Sequence, residues 1–240
     1  MTLHRKSLRS LIALLVLFVL ATASRAETTD DLAPLTARWE EAMELLQVPG
    51  MAVAVVQGDQ VLLTRGFGVR DTETSLPVDS DTLFYVASST KSVVATAIQT
   101  LVEEGKIVLD APVTTYLPRF AVAGASDENP ITVLDLLTHR RGLSSDAITQ
   151  GEAYTGLMDE EQFYRLLAEV EPTEEFLYSN LHFTLLGRII EAVAGTHWQN
   201  FVEQRITGPI GMDRATTSAS KMWADENTAI PTIETAGQWQ

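Results

Sequence analysis

The chain has 240 residues, 45% of them hydrophobic, a formal net charge of −15 and no cysteine. That length and apolar content suit one principal well-buried core rather than two independent ones. The acidic balance repels a phosphate backbone and argues against a nucleic-acid partner, and the lack of cysteine excludes a disulfide scaffold, a thiol nucleophile and thiolate metal sites while leaving the redox compartment open.

In chain order, Arg5, Lys6 and Arg9 precede an apolar run from Leu11 to Leu20, and the small residues of Ala21-Thr22-Ala23 and Ser24-Arg25-Ala26 follow. That order predicts a secretory signal peptide over residues 1–26, with periplasmic or secreted localisation and a mature domain over 27–240. A retained membrane anchor is the alternative, but ten to twelve apolar residues span only about 15–18 Å as a helix, against a hydrocarbon core of about 30 Å. Apolar residues at Leu35, Trp39, Met43 and Leu46 recur with a near-helical period and predict a helix that ends before Val48-Pro49-Gly50. Met51 to Val56 and Val61 to Leu63, separated by Gln57-Gly58-Asp59-Gln60, predict a hairpin closed by Arg65-Gly66-Phe67-Gly68. The polar stretch Asp71 to Asp81 reads as a loop.

From Ser88 onward Val94, Ile98, Leu101 and Val102 fall on one helical face, and Gly105-Lys106 supplies the stop. Further helices are expected across Val133 to Thr138, Glu160 to Val170 and Phe183 to Val193. The tail from Ala219 to Gln240 has weak periodicity and no assignable element.

Ser88-Ser89-Thr90-Lys91 is an S-x-x-K element that opens the helix after Ser88. The i+3 spacing brings hydroxyl and ammonium to one side. A serine hydroxyl is a poor nucleophile until a base takes its proton, which a neighbouring lysine does directly or through another group. The N–H groups of a helix start favour the negative charge that develops. Spacing alone is weak, since a chain of this size holds about one such match by chance, and Ser218-Ala219-Ser220-Lys221 is a second match that opens no apolar-periodic helix and reads as coincidence. Tyr178-Ser179-Asn180 stands alone as a Y-x-N, in an expected loop between Phe176 and the helix near Phe183. A tyrosine beside an ammonium has its pKa lowered and can serve as a base, and an asparagine amide can orient both substrate and lysine. By itself the same tripeptide also fits a turn tyrosine followed by a helix cap.

Taken together, Val48-Pro49-Gly50-Met51, Arg65-Gly66-Phe67-Gly68, Asp81-Thr82-Leu83-Phe84, Ser88-x-x-Lys91-Ser92, Glu104-Gly105-Lys106, Tyr116-Leu117-Pro118, Ile131-Thr132 through His139, Gly142-Leu143 and Tyr178-Ser179-Asn180 through Gly187 resemble the class C β-lactamase and D-Ala-D-Ala carboxypeptidase family. The likeness covers roughly residues 35–215. It implies an α+β fold, with an antiparallel sheet flanked by helices and a helical subdomain. It also implies a serine hydrolase that forms an acyl-enzyme at Ser88, with Lys91 and Tyr178 moving the proton, Asn180 positioning substrate and the Ser88 N–H serving as one oxyanion donor. The implied partner is a small-molecule or peptide substrate (a peptidoglycan peptide, a β-lactam or an ester), with no cofactor and no metal.

Some stretches depart from the family pattern. The third element, Lys or His followed by Thr or Ser and Gly, has no match in the 240 residues; Tyr154-Thr155-Gly156 and Ile206-Thr207-Gly208 lack the leading base. The chain is therefore expected to be the amino-terminal portion of such a domain, with an incomplete sheet exposing an apolar face and edge. The alternative function is a non-catalytic or decayed penicillin-recognising binding module. His139-Arg140-Arg141-Gly142 and Pro172-Thr173-Glu174-Glu175 replace stretches that are small or glycine-containing in the family. His4, His139, His182 and His197 lack metal-ligand spacing, and His139 and His182 are read as structural.

Overall fold

The structure is a computed structural model that describes residues 32–124, 126, 128–232, 234–235 and 238–239. The expected signal peptide, residues 1–26, lies outside the described residues. The chain divides into two compact units, one running up to Tyr85 and resuming at Met222, the other from Val86 to Lys221. Helices and small antiparallel sheets together make an α+β fold.

In the first unit, helix α1 (Ala33–Leu46) has a proline in its opening turn, where no backbone donor is needed. It ends at Gln47 in the left-handed conformation. Strands β1 (Gly50–Gln57) and β2 (Gln60–Gly68) pair antiparallel, Met51 opposite Phe67 and Val55 opposite Leu63, with a bulge between Val55 and Val56. The reversal uses Gly58 at φ 62°. The hairpin runs further than its apolar runs predict, because Arg65-Gly66-Phe67-Gly68 is strand rather than closure. Its glycines answer to close packing: a Cβ at Gly66 would strike the backbone of Val78, and one at Gly68 would strike the Pro49 carbonyl. Phe67 is buried and meets Trp39 of α1 edge-on at 6.1 Å. Val56 and Val61, at the far end of the hairpin, are exposed. Among the described residues each sheet has two strands, the second being a short ladder of β3 (Glu234–Thr235) and β4 (Gln238–Trp239).

The segment after Met222, unassigned from its sequence, is fastened to the 70–83 loop by backbone pairing. Leu83 N–H donates to the Asn227 carbonyl at 2.8 Å and Ala229 N–H to the Leu83 carbonyl at 2.8 Å. The Asn227 amide donates to Asp79 Oδ1 at 2.9 Å and accepts from Thr82 Oγ1 at 2.9 Å.

The second unit is a helical core. A tight turn at Ala87–Ser89 leads into α2 (Thr90–Glu103), so Ser88 precedes the α-helix instead of lying within it. Helix α3 (Val133–Thr138) starts with a reciprocal capping box between Thr132 and Asp135 and ends at His139 in the left-handed conformation. Helix α4 (Asp146–Thr149) continues as a wider coil over Gln150–Thr155, and α5 (Glu160–Leu167) is capped by Asp159 with Gln162. Helix α6 (Asn180–Ala194) is capped by Ser179 and stopped by Gly195, three residues longer at its start than periodicity predicts. Helix α7 (Trp198–Val202), extended by a wide coil over Glu203–Thr207, was not foreseen, nor was α4, and a short α8 (Ala219–Trp223) follows. Short helices carry too few turns to show a period, and their stability comes from burial.

Helix α6 is the centre of this unit and packs on α2, α3 and α7. Leu185, Leu186, Ile189 and Ile190 of α6 meet Ile98 and Leu101 of α2, Leu136 of α3 and Phe163 and Leu167 of α5 in one core, all without solvent access. Truncating Leu101 to alanine is expected to cost about 2–5 kcal/mol of unfolding free energy, measured by urea denaturation.

Candidate active site

The site grows from the junction between the Ala87–Ser89 turn and α2. Ala87 has φ 45°, a left-handed conformation that is uncommon outside glycine and carries strain. The turn presents Ser88, and the first turn of α2 presents Lys91 on the same side. Lys91 Nζ donates to Ser88 Oγ at 3.2 Å. It donates again, at 2.6 Å, to Oδ1 of Asn180, the first residue of α6. Asn180 is fixed in turn by the cap beneath it, where Ser179 Oγ accepts from Leu181 N–H at 3.1 Å.

Tyr178 completes the cluster from the segment just before that cap. Its ring lies under Lys91 Nζ at 4.8 Å from the centroid, and the Phe183 ring stands 5.6 Å from the same ammonium. Hydrogen bonding to Lys91, then to Ser88, holds the Tyr178 phenol below the ordinary tyrosine range, because both stabilise the phenolate. The ring stays half exposed, open to an incoming molecule.

The structure thus brings Ser88, Lys91, Tyr178 and Asn180 together, all within the second unit. It does not give Ser218 a comparable setting: Ser218 Oγ meets Ser220 Oγ at 2.9 Å and accepts from Lys221 N–H at 3.4 Å, the contacts of a serine at a helix start. What the spacing did not reveal is that His139 and His182 are in contact. Their Nδ1 atoms share a hydrogen bond, and both rings are buried, His182 without any solvent access. The only signal in the sequence was the presence of a histidine at the end of one predicted helix and another at the start of a second.

Burial, then the adjacent His139, pushes the His182 pKa down to about 4, and burial with the Lys91 charge lowers His139 as well. At neutral pH the pair is therefore uncharged.

An S-x-x-K serine and lysine thus face a Y-x-N tyrosine and asparagine within an α+β fold. The β-lactamase family model matches residues 35–239, and the chain belongs to that family. Penicillin-binding protein 4 of Amycolatopsis lactamdurans is 32% identical over 192 residues, covering 75% of this chain and 49% of that protein. Esterase EstB of Burkholderia gladioli is 31% identical over 207 residues, covering 80% of this chain and 53% of the esterase. Among solved structures, the octameric penicillin-binding protein homologue from Pyrococcus abyssi superposes with a TM-score of 0.72 at 29% identity, over 88% of this chain and 50% of that one. The chain spans about half the length of these relatives.

Two outcomes are expected from this geometry. The phenolate absorbance of Tyr178, isolated by difference against Tyr178→Phe, titrates below the ordinary tyrosine value, and Lys91→Ala moves it upward. For His182, the folded pKa lies below the unfolded value of 6.5, so the unfolded chain binds the extra proton first. Its contribution is full above pH 6.5 and is lost as pH falls towards 4, by at most about 3 kcal/mol. Urea denaturation in that window is expected to show a steeper loss for the native chain than for His182→Asn.

Proposed function

We propose that the chain is the acyl-enzyme-forming part of a serine hydrolase that cleaves an amide, ester or β-lactam bond at Ser88. The observation that carries this reading is the single ammonium of Lys91 reaching both Ser88 Oγ, at 3.2 Å, and Asn180 Oδ1, at 2.6 Å, while Lys91 and Ser88 together hold the Tyr178 phenol below the ordinary tyrosine range. Family membership and the relatives described as a penicillin-binding protein and an esterase support it.

In this reading Ser88 Oγ attacks the carbonyl carbon while its proton passes to Tyr178, whose phenolate form is favoured by the Lys91 ammonium. The carbonyl oxygen becomes an oxyanion beside the Ser88 N–H. Collapse expels the amine or alcohol, which takes the proton back from the same group and leaves an ester on Ser88. Water then adds to that ester, giving up a proton by the same route, and the acid departs as Ser88 recovers its hydrogen. Asn180 holds Lys91 by its Oδ1 and leaves the amide N–H₂ to orient the substrate carbonyl side. The basic, apolar and small-residue order of residues 1–26 supports export to the periplasm or beyond.

Intact-protein mass spectrometry after exposure to a fluorescent penicillin and to a fluorophosphonate tests the proposal. Native chain and Ser218→Ala are expected to gain the mass of the adduct and Ser88→Ala none. Folded native protein that takes up neither reagent contradicts the hydrolase reading and favours a binding module.

A further inference from the structure

The buried histidine pair has a structure of its own that the acyl-transfer scheme does not use. Leu143 N–H donates to His182 Nε2 at 3.0 Å, so that nitrogen carries no proton. In a neutral ring the proton then sits on His182 Nδ1, and Nδ1 faces Nδ1 of His139. His139 Nδ1 must accept, and it also lies 3.4 Å from the backbone N–H of Ser179. With one hydrogen between the two rings, the pattern that satisfies these contacts is Nδ1–H on His182 and Nε2–H on His139.

This pair is built into the segment that carries the site. The Leu177 N–H donates to the His139 carbonyl at 3.1 Å, and the Ser179 N–H approaches the His139 ring, so the residues on both sides of Tyr178 are tied to His139. The His139 ring stands 4.8 Å from that of Tyr178 and 5.5 Å from that of Phe183, the two aromatic faces presented to Lys91. His182 lies in the first turn of α6, two residues beyond Asn180.

On the reading of Ser88 as the acyl-forming serine, we propose that His139 and His182 are a positioning pair, whose one shared hydrogen sets the 177–180 segment so that Tyr178 and Asn180 reach Lys91 together. Neither imidazole exchanges a proton with substrate. A second proton on the pair would set an N–H against an N–H and loosen the segment. The charged and titratable groups facing the pair are Lys91 from α2, Asp135 from α3 and Tyr178 from the segment before α6. The ammonium opposes protonation and the carboxylate favours it. Burial adds to the opposition, so the neutral couple is the state at neutral pH.

The test uses the full chain and His139→Phe, which keeps an aromatic ring against Tyr178 and removes the acceptor for His182. The variant with native circular dichroism is expected to react with a fluorophosphonate at Ser88 at about one tenth of the native rate or less at pH 8. Its Tyr178 phenolate titration, read against Tyr178→Phe, is expected to move up towards that of a free tyrosine, a change that loss of packing alone does not produce. A folded His139→Phe protein with native labelling and a native Tyr178 titration overturns the proposal. Should the variant not fold, ring-nitrogen NMR of the native chain decides. Neutral His182 protonated at Nδ1 and His139 protonated at Nε2 support the pair, whereas His182 protonated at Nε2 overturns it. A native chain that takes no label contradicts the acyl-serine reading, while the tyrosine titration and the tautomers still decide the role of the pair.

Discussion

A lysine ammonium at the start of a helix is in an unfavourable place, because the free N–H groups there already carry partial positive charge, at a cost of about 0.3–1 kcal/mol at an exposed position. Lys91 is in the first turn of α2, and its side chain reaches the first residue of α6, so two helix starts face it. The surrounding residues answer that charge. Asn180 offers an amide oxygen at 2.6 Å, Ser88 a hydroxyl at 3.2 Å, and Tyr178 and Phe183 the negative faces of their rings. Each of these groups is drawn to one point by the same ammonium, and the reactivity assigned to Ser88 depends on that convergence.

The core keeps the point fixed. Helices α2 and α6 pack together through Ile98, Leu101, Leu185 and Ile189, none of which has solvent access, so the two helix starts have little freedom to separate. Ser179 caps α6 while lying between Tyr178 and Asn180, which makes the cap and the site the same piece of chain. Beneath it the histidine pair links the end of α3, the 142–143 backbone and the first turn of α6. Left-handed backbone flanks the site on both sides, at Ala87 just ahead of Ser88 and at His139 of the histidine pair.

Much of this could be read before the fold was known. The apolar face of Val94, Ile98 and Leu101 located α2, and the spacing of Ser88 and Lys91 placed two side chains on one side of its start. The collinear fragments, with Tyr178-Ser179-Asn180 the most specific, brought the distant half of the site into view. What stayed hidden depends on contacts between residues far apart in sequence. The pairing of Leu83 with Asn227 and Ala229 has no local pattern, and neither does a histidine that needs another histidine 43 positions away. Arg65-Gly66-Phe67-Gly68 misled for a related reason: its glycines look like a stop, although they serve the close approach of Val78 and Pro49 within a continuing strand.

The claim at the centre of the account is that Lys91 acts with Tyr178 as one unit on Ser88. A double-mutant cycle on the second-order rate of Ser88 phosphonylation, using Lys91→Ala, Tyr178→Phe and the pair combined, tests it most directly. The account predicts that either single change removes most of the rate and that the second change adds little to the first. Additive losses would mean that the two side chains act independently, and would contradict it.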